Sequence, residues 1–300
     1  MKKVIKSLIA AILALTTVIG SVPAFATSNE IDFILFSEDG KILLDYPETI
    51  TDKEYTVPEG TVHIAEDAFE SNPYIEKVIL PDTLKTIEHS AFNKCTALKT
   101  IILPANLEKF FTDDNYSIAS FSGCTNLEAI EVDSENKTYK SVDGVVFSKD
   151  GKTLVYYPEG RKDEIYSVPL GTETIGWASF CCHSFIKHVI IPNGVTEIDG
   201  WAFLGSSIET IEIPKTMQII GWNGIENCSN LHTVYYAGNE KEFYDIEINE
   251  YDVDSSLNNT SLFKANLVCE EDLSLIKKTF LYFSLIFKYI FHQIRYKGIF

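Results

Sequence analysis

With 43 acidic against 25 basic residues in 300, the chain carries a formal net charge of -18. A field of that sign repels phosphate instead of releasing counterions from it, which argues against nucleic acid as a partner. An apolar fraction of 45% is ample for a packed core, while the sequence holds no Gly-rich phosphate loop, no Gly-x-Ser-x-Gly elbow and no His-Glu-x-x-His pair, so it announces no nucleotide, hydrolase or metallopeptidase chemistry.

The first element is a leader. Lys2, Lys3 and Lys6 precede an apolar run from Leu8 to Ile19, and Pro23 stands before Ala24-Phe25-Ala26. A basic start, an apolar stretch too short to span a bilayer and a small-x-small site together predict a secretory signal peptide over residues 1–26, cut after Ala26. An exported protein, secreted or held at the cell surface, is therefore expected. The leader contains three of the 25 basic residues and no acid, leaving 22 positive against 43 negative side chains, a net charge of -21. No Cys near the cleavage point could take a lipid, and Leu103-Pro104-Ala105-Asn106 lacks the Thr-Gly of a sortase signal.

Residues 27–56 are expected to form a hairpin and cap, because two apolar segments flank Asp39-Gly40, a strong turn signal. A repeat then begins. Proline recurs at Pro58, Pro81 and Pro104, and again at Pro169, Pro192 and Pro214, with a period of 22 or 23 residues inside each group. Before each proline, apolar residues alternate, as in Leu98, Ile101 and Leu103 or Ile208, Ile211 and Ile213. Six residues past it stands Ile64, Ile87, Phe110, Ile175, Ile198 or Ile220; eleven past it stands Phe69, Phe92, Phe180, Phe203 or Ile225, with Phe121 in the same role after a six-residue insertion.

Alternation suits a short strand, and a proline that cannot donate to a ladder ends it. One unit of this length cannot bury its apolar positions alone, so successive units must stack them into a continuous core. The fold predicted is a solenoid whose repeats occupy 57–132 and 167–236. Between them, residues 133–166 form an inserted β-hairpin, and 237–272 close the stack. A longer duplication underlies this plan: residues 36–69 align without a gap on 147–180, with about half the positions identical.

The segments "LKTIILPANLEKF...SFSGCTNLEAIEV", with an Ala-Phe or Ser-Phe turn and a Cys three residues on, resemble the BspA-like leucine-rich repeats of surface and secreted proteins. So do the hairpin "DGVVFSKDGKTLVYYPEG" and the terminal "VYYAGNEKEFYDIEI". The resemblance spans residues 31 to 268. It implies a right-handed leucine-rich-repeat coil with a parallel β-sheet, mostly β with short turns, concerned with adhesion or host-protein binding. It brings no catalytic residue, metal or cofactor with it.

Binding candidates follow from strand alternation. With Val78 and Leu80, Ile101 and Leu103, Val189 and Ile191, and Ile211 and Ile213 inward, Lys77, Ile79, Thr100, Ile102, His188, Ile190, Thr210 and Glu212 turn outward. Tyr235 joins them if Val234 and Tyr236 point in. This half-apolar stripe on an acidic surface is the expected contact for a protein on a host or microbial surface; the alternative is that β-branched residues merely suit strands. Trp177, Trp201 and Trp222 fall just after the second inward isoleucine of successive units, where they are packing wedges or an aromatic platform for a glycan.

Cys95, Cys124 and Cys228 each follow the aromatic or aliphatic marker by three residues, and His183 takes that place after Phe180. Repeat position explains them as small buried side chains stacked on one another, although neighbouring rungs about 4.8 Å apart would also bring Cys95 and Cys124 near disulfide range. Cys181-Cys182-His183 is the one cluster that invites a nucleophile or metal reading, and it lacks both a second ligand pair and an electropositive setting. Asp252-Val253-Asp254-Ser255-Ser256 lacks the glycine and closing glutamate of an EF-hand. Residues 273–300 contain five basic residues and no acid; Lys277, Ser284, Lys288, His292 and Arg295 fall on one side of a helix suited to an anionic membrane surface.

Overall fold

The computed structural model describes residues 33–110, 120–249 and 259–271. The leader, the Asp252–Ser256 stretch and the basic tail lie outside them.

The described chain is a stack of short coils, and each coil gives two strands instead of the one that the sequence suggests. Strands that end just before a proline are β3 (Glu54–Thr56), β5 (Lys77–Ile79) and β7 (Thr100–Leu103), followed by β8 (Ala129–Val132), and they pair in parallel in that order. After each proline come β4 (His63–Ile64) and β6 (Thr86–Ile87), which extend a hairpin of β1 (Leu35–Phe36) and β2 (Ile42–Asp45) into a second sheet. The second half repeats the plan. Its pre-proline sheet is β12 (Ile165–Ser167), β14 (His188–Ile190), β16 (Thr210–Ile213), β18 (Thr233–Tyr236) and β20 (Asn266–Cys269); its post-proline sheet runs from β9 (Tyr139–Val142), β10 (Val145–Ser148) and β11 (Thr153–Tyr156) through β13 (Thr174–Ile175), β15 (Glu197–Ile198) and β17 (Ile219–Ile220) to β19 (Glu247–Ile248).

The residues expected to form an inserted hairpin are thus built into the stack, since β11 pairs in parallel with β13 and β12 with β14. The closing segment likewise continues both sheets, as β19 and β20 add to β17 and β18. Two short helices carry it, α1 (Glu240–Tyr244) and α2 (Thr260–Lys264). Asn239 and Glu242 form a reciprocal capping box on α1, satisfying two backbone donors that a helix end leaves free.

Local geometry explains the period. All six repeat prolines head a turn in which their carbonyl accepts from the N–H three residues on, as Thr61 donates to Pro58 and Val195 to Pro192. Two left-handed residues, one before and one after the marker, then reverse the chain in the coils of Phe69, Phe92, Phe180, Phe203 and Ile225. The second position, two past the marker and left-handed after Phe121 as well, is Ser71 (φ 60°), Lys94 (φ 59°), Gly123 (φ 75°), Cys182 (φ 59°), Gly205 (φ 67°) or Asn227 (φ 55°). A side chain held there costs on the order of 1 kcal/mol. The strain is offset by lateral bonds, because Ser71, Lys94, Cys182 and Gly205 each donate their N–H to a carbonyl of the next coil, at Asn93, Ser122, Leu204 and Glu226.

Inside, the markers stack as columns. Tyr46, Phe69, Phe92 and Phe121 lie with ring centroids 4.9, 4.7 and 5.2 Å apart, and Tyr157, Phe180 and Phe203 at 4.8 and 4.9 Å. The post-proline isoleucines 64, 87, 175, 198 and 220 are fully buried.

The core is not the single stack that the repeats suggest. Ile87 and Phe92 belong to one apolar cluster, Ile198 and Phe203 to another. Hairpin β10–β11 separates them: Val145, Phe147 and Leu154 face the second cluster, whereas Val146 and Tyr156 face the first. Alternation produces this partition along β10, and on β11 the bulge opposite Val146 and Phe147 lets Leu154 and Tyr156, two residues apart, face opposite clusters.

Candidate binding face

The alternation expected of the pre-proline strands holds. Val78, Ile101, Ile130, Val189, Ile211 and Val234 are buried, and register places their outward neighbours in columns. In the first array Lys77 aligns with Thr100, and Ile102 with Glu131. Ile79 and Ile102 are 38% and 60% exposed, so two apolar side chains stand in water among Lys77, Thr100 and Glu131. In the second array Ile190, Glu212, Tyr235 and Val268 form one column, and His188, Thr210, Thr233 and Asn266 the next.

That second face is more closed than expected. His188 and Glu212 were expected in solvent, yet His188 is buried and Glu212 half-buried. His188 contacts Thr210 Oγ1 through Nδ1 and Glu212 Oε1, at 2.8 Å, through Nε2. Cross-strand pairs bring these groups together, and an imidazole satisfied at both nitrogens is held against its neighbours. Thr210, Ile190 and Tyr235 are half-buried. Beside this column a depression of about 190 Å³ opens between Glu212, Pro214, Tyr235, Val268 and Glu270.

The three indoles come together as the spacing suggests. Trp177 and Trp201 stack with centroids 5.3 Å apart and planes at 27°, and Trp222 follows at 5.7 Å and 37°. All are half-buried. Gly200 lies under Trp177 so closely that a Cβ there would sit 2.3 Å from the indole. Trp201 thus turns its ring toward both neighbours, and Trp177 and Trp222 each turn one face toward it.

Cys95, Cys124 and Cys228 are buried free thiols, and each donates to the marker carbonyl of the preceding coil: Phe69 at 3.0 Å, Phe92 at 3.1 Å and Phe203 at 3.0 Å. Burial pushes the Cys124 and Cys228 thiols up, Cys228 to about 11. His183 fills the same place. Its Nδ1 accepts from the N–H groups of Phe185 and Ile186, and burial holds its pKa down at about 4. That nitrogen is therefore not open to act as base for a neighbouring thiol.

In the first array Asn72 does this work. Its Oδ1 accepts from Tyr74 and Ile75, and its Nδ2 donates to the carbonyls of Pro47 and Ile50. Asn136 repeats the pattern with Thr138, Tyr139, Pro104 and Leu107. Asn136 and Asn259, which head Asn-x-Ser/Thr triplets, are both fully buried and hydrogen-bonded.

One important residue escaped sequence reasoning. Where the first array ends, Gly123 finds no carbonyl in the lateral position, and Glu159 Oε1 accepts its N–H at 2.8 Å. Burial raises the Glu159 pKa to about 7. Next to it the chain presses on the first array, so that a Cβ at Gly160 would meet Leu127 N at 2.4 Å. A carboxylate in "YPEG" looks like a turn residue in sequence, and only the junction gives it this role.

Among the described residues no group of three or more His, Cys, Asp and Glu side chains is arranged to hold a metal ion, and no helix is long and apolar enough to cross a membrane. Comparison with curated proteins yields no match. Among solved structures the fold is similar to that of the pneumococcal vaccine antigen PcpA, with 24% identity and a TM-score of 0.51 over 63% of this chain and 51% of that one. The chain thus spans about half the length of that antigen. A leucine rich cell surface protein of Faecalibacterium prausnitzii A2-165 matches with 24% identity and a TM-score of 0.43, covering 65% of this chain and 62% of that one. A leucine-rich repeat protein from Eubacterium ventriosum ATCC 27560 matches with 22% identity and a TM-score of 0.47, covering 67% and 68%. The BspA type leucine-rich repeat model matches six copies over residues 48–152 and 163–271, so the chain belongs to the BspA type leucine-rich repeat family.

Proposed function

We propose that the protein is an exported binding module that contacts a protein on a host or microbial surface through the outward face of its pre-proline strands. The observation that carries this reading is the exposure of Ile79 and Ile102 on adjacent rigid strands, ringed by charged and polar side chains. Apolar side chains held in water gain most when a partner covers them, and a pre-ordered sheet loses little entropy on binding. The leader expected over residues 1–26 supports export.

The test is capture of a labelled surface protein from bacterial and epithelial extracts. Wild type and a Lys85→Glu control should retain the same protein, and the pair Ile79→Lys, Ile102→Lys should lose it. Equal capture by all three forms would remove the face from consideration. Membrane contact by residues 273–300 is a separate contribution: their deletion should reduce salt-sensitive binding to anionic vesicles and leave protein capture intact.

Two rival readings have less support. Glycan binding by Trp177, Trp201 and Trp222 needs open ring faces, and these indoles stack on one another; titrating Trp fluorescence with glycans checks it. Catalysis by Cys181, Cys182 and His183 would need an imidazole nitrogen in contact with a thiol; the two sulfurs contact each other, and Nδ1 is engaged by backbone. An activity that survives Cys182→Ala, or none at all, removes that reading.

A further inference from the structure

Repeat position explains Cys95, Cys124 and Cys228, but it does not explain Cys181 and Cys182. These two occupy the turn positions just past Phe180, where other coils carry Glu70 and Ser71, Asn93 and Lys94, or Leu204 and Gly205. Adjacent side chains of an extended chain point to opposite sides. Here the left-handed Cys182, at φ 59°, turns the chain so that the two Sγ atoms lie 3.3 Å apart. A disulfide needs about 2.05 Å, so the sulfurs have about 1 Å to close. Because adjacent Cα atoms lie only about 3.8 Å apart, the eight-membered ring closes by side-chain rotation together with some distortion of the peptide between them. Access is unequal, with Cys182 exposed and Cys181 half-buried.

We infer that Cys181 and Cys182 form a redox-active vicinal dithiol, which a small-molecule disulfide oxidises to a Cys181–Cys182 disulfide with Cys182 as the attacking sulfur and Cys181 as the resolving one. The electrostatics agree with those roles. The hydrogen bond from Cys181 holds the Cys182 thiol down at about 7, and the same bond together with burial pushes Cys181 far up. Thiolate attack is what drives exchange, so the exposed, more acidic sulfur reacts first.

The chemistry balances in two exchanges. The Cys182 thiolate attacks one sulfur of RSSR, a new S–S bond forms, the old one breaks, and RS⁻ leaves with the proton that Cys182 gave up. Cys181 then loses its proton and attacks Cys182 Sγ, expelling the second RS⁻, which is protonated in turn. Two protein thiols are oxidised, and one disulfide is reduced to two thiols. Cys182 N–H donates to Leu204 O at 2.8 Å, so the pair sits on a turn already tied to the next coil.

The test incubates the folded full-length chain with glutathione disulfide, blocks free thiols with iodoacetamide, and weighs the peptide that contains residues 181 and 182. In wild type that peptide should be lighter by two hydrogens and carry no label, while Cys95, Cys124 and Cys228 in the same sample take label only after unfolding. Cys181→Ser should accumulate glutathione on Cys182, and Cys182→Ser should leave Cys181 a free thiol. Wild type that keeps both thiols free, or that stops with glutathione on Cys182, overturns the proposal. Equal glutathione uptake by the two serine variants overturns the assignment of roles. If a variant loses its β signal in far-UV circular dichroism, the wild-type mass alone decides.

Discussion

Hairpins β1–β2 and β10–β11 are near copies set in different surroundings. Both pair with a bulge at the same place, Leu35 with Asp45 and Phe36 with Leu43 in one, Val146 with Tyr156 and Phe147 with Leu154 in the other. Ser37 and Ser148 each donate to the following aspartate at 2.7 Å. The second copy, however, sits between two arrays. Glu48 is exposed, whereas its counterpart Glu159 is buried against Gly123; Asp45 corresponds to Tyr156, whose hydroxyl donates to Phe121 O at 3.1 Å; Asn72 corresponds to His183. One backbone plan thus starts an array when its outer face is polar and joins two arrays when that face carries a tyrosine and a carboxyl that replaces a missing carbonyl.

The strongest way to break this comparison is to ask whether the arrays unfold apart. Their cores are separate clusters, and all three tryptophans lie in the second array. Phe92→Ala should cost about 3–5 kcal/mol and advance part of the circular dichroism transition in urea while leaving the tryptophan transition in place. Phe203→Ala should move the tryptophan transition by a similar amount. Coincident shifts in both signals would show that the hairpin couples the arrays into one cooperative unit.

A smaller effect is expected at the paired closures. Asn72→Ala leaves two carbonyls and two N–H groups of the first array without their side-chain partner, a loss of about 2–4 kcal/mol. Asn72→His should recover part of it, since imidazole Nδ1 accepts the same two bonds in His183. Failure of the histidine to recover any stability would mean that the two closures are not equivalent.

Acidification separates them further. An unfolded histidine has a pKa of 6.5 and His183 about 4, so between these values the unfolded chain binds more protons and the second array loses stability as pH falls. Glu159 works in the other direction: its folded pKa of about 7 exceeds the unfolded 4.5, so the folded state binds more protons in that window and the junction gains stability as pH falls. Each term is worth on the order of 3 kcal/mol. Tryptophan-monitored urea melts at several pH values should show that, relative to wild type, His183→Asn loses less stability in acid and Glu159→Gln gains less. Parallel pH profiles of the two variants would sink the assignment.

The smallest effect is expected at the edge, where the arrays carry opposite charge. Glu76 bridges Lys53 and Lys99 in the first, whereas Lys187 lies between Glu164 and Glu209 in the second. Exchanging all three charges of the first array should leave the circular dichroism melt unchanged, and Glu76→Lys alone should lower it slightly at low salt and not at high salt. A loss that persists in high salt would point to packing instead of charge.

Much of this architecture was readable before any coordinate. Pro58, Pro81, Pro104 and their later counterparts mark the ends of the six strands that precede them, and Phe69, Phe92, Phe180 and Phe203 lie in the columns that their spacing requires. What escaped depends on partners distant in sequence. The post-proline strands are two residues long and gain order only from the ladder across coils. His188 looks like an outward residue until Thr210 and Glu212, on the next coil, close over it. Glu159 matters because a carbonyl is missing at Gly123, and a local pattern cannot express an absence of that kind.

The left-handed position two past each marker holds serine, lysine, glycine, cysteine or asparagine with nearly the same backbone. Its lateral bond is made by the peptide group and is indifferent to the side chain. Six extra residues ahead of Phe121 leave that ring in register with Phe92, 5.2 Å away. Length and surface identity are therefore independent variables in this molecule: a coil can be copied, deleted or enlarged at its edge while the sheet beside it keeps its spacing, and a lineage of such proteins can change how far it reaches without redesigning what it grips.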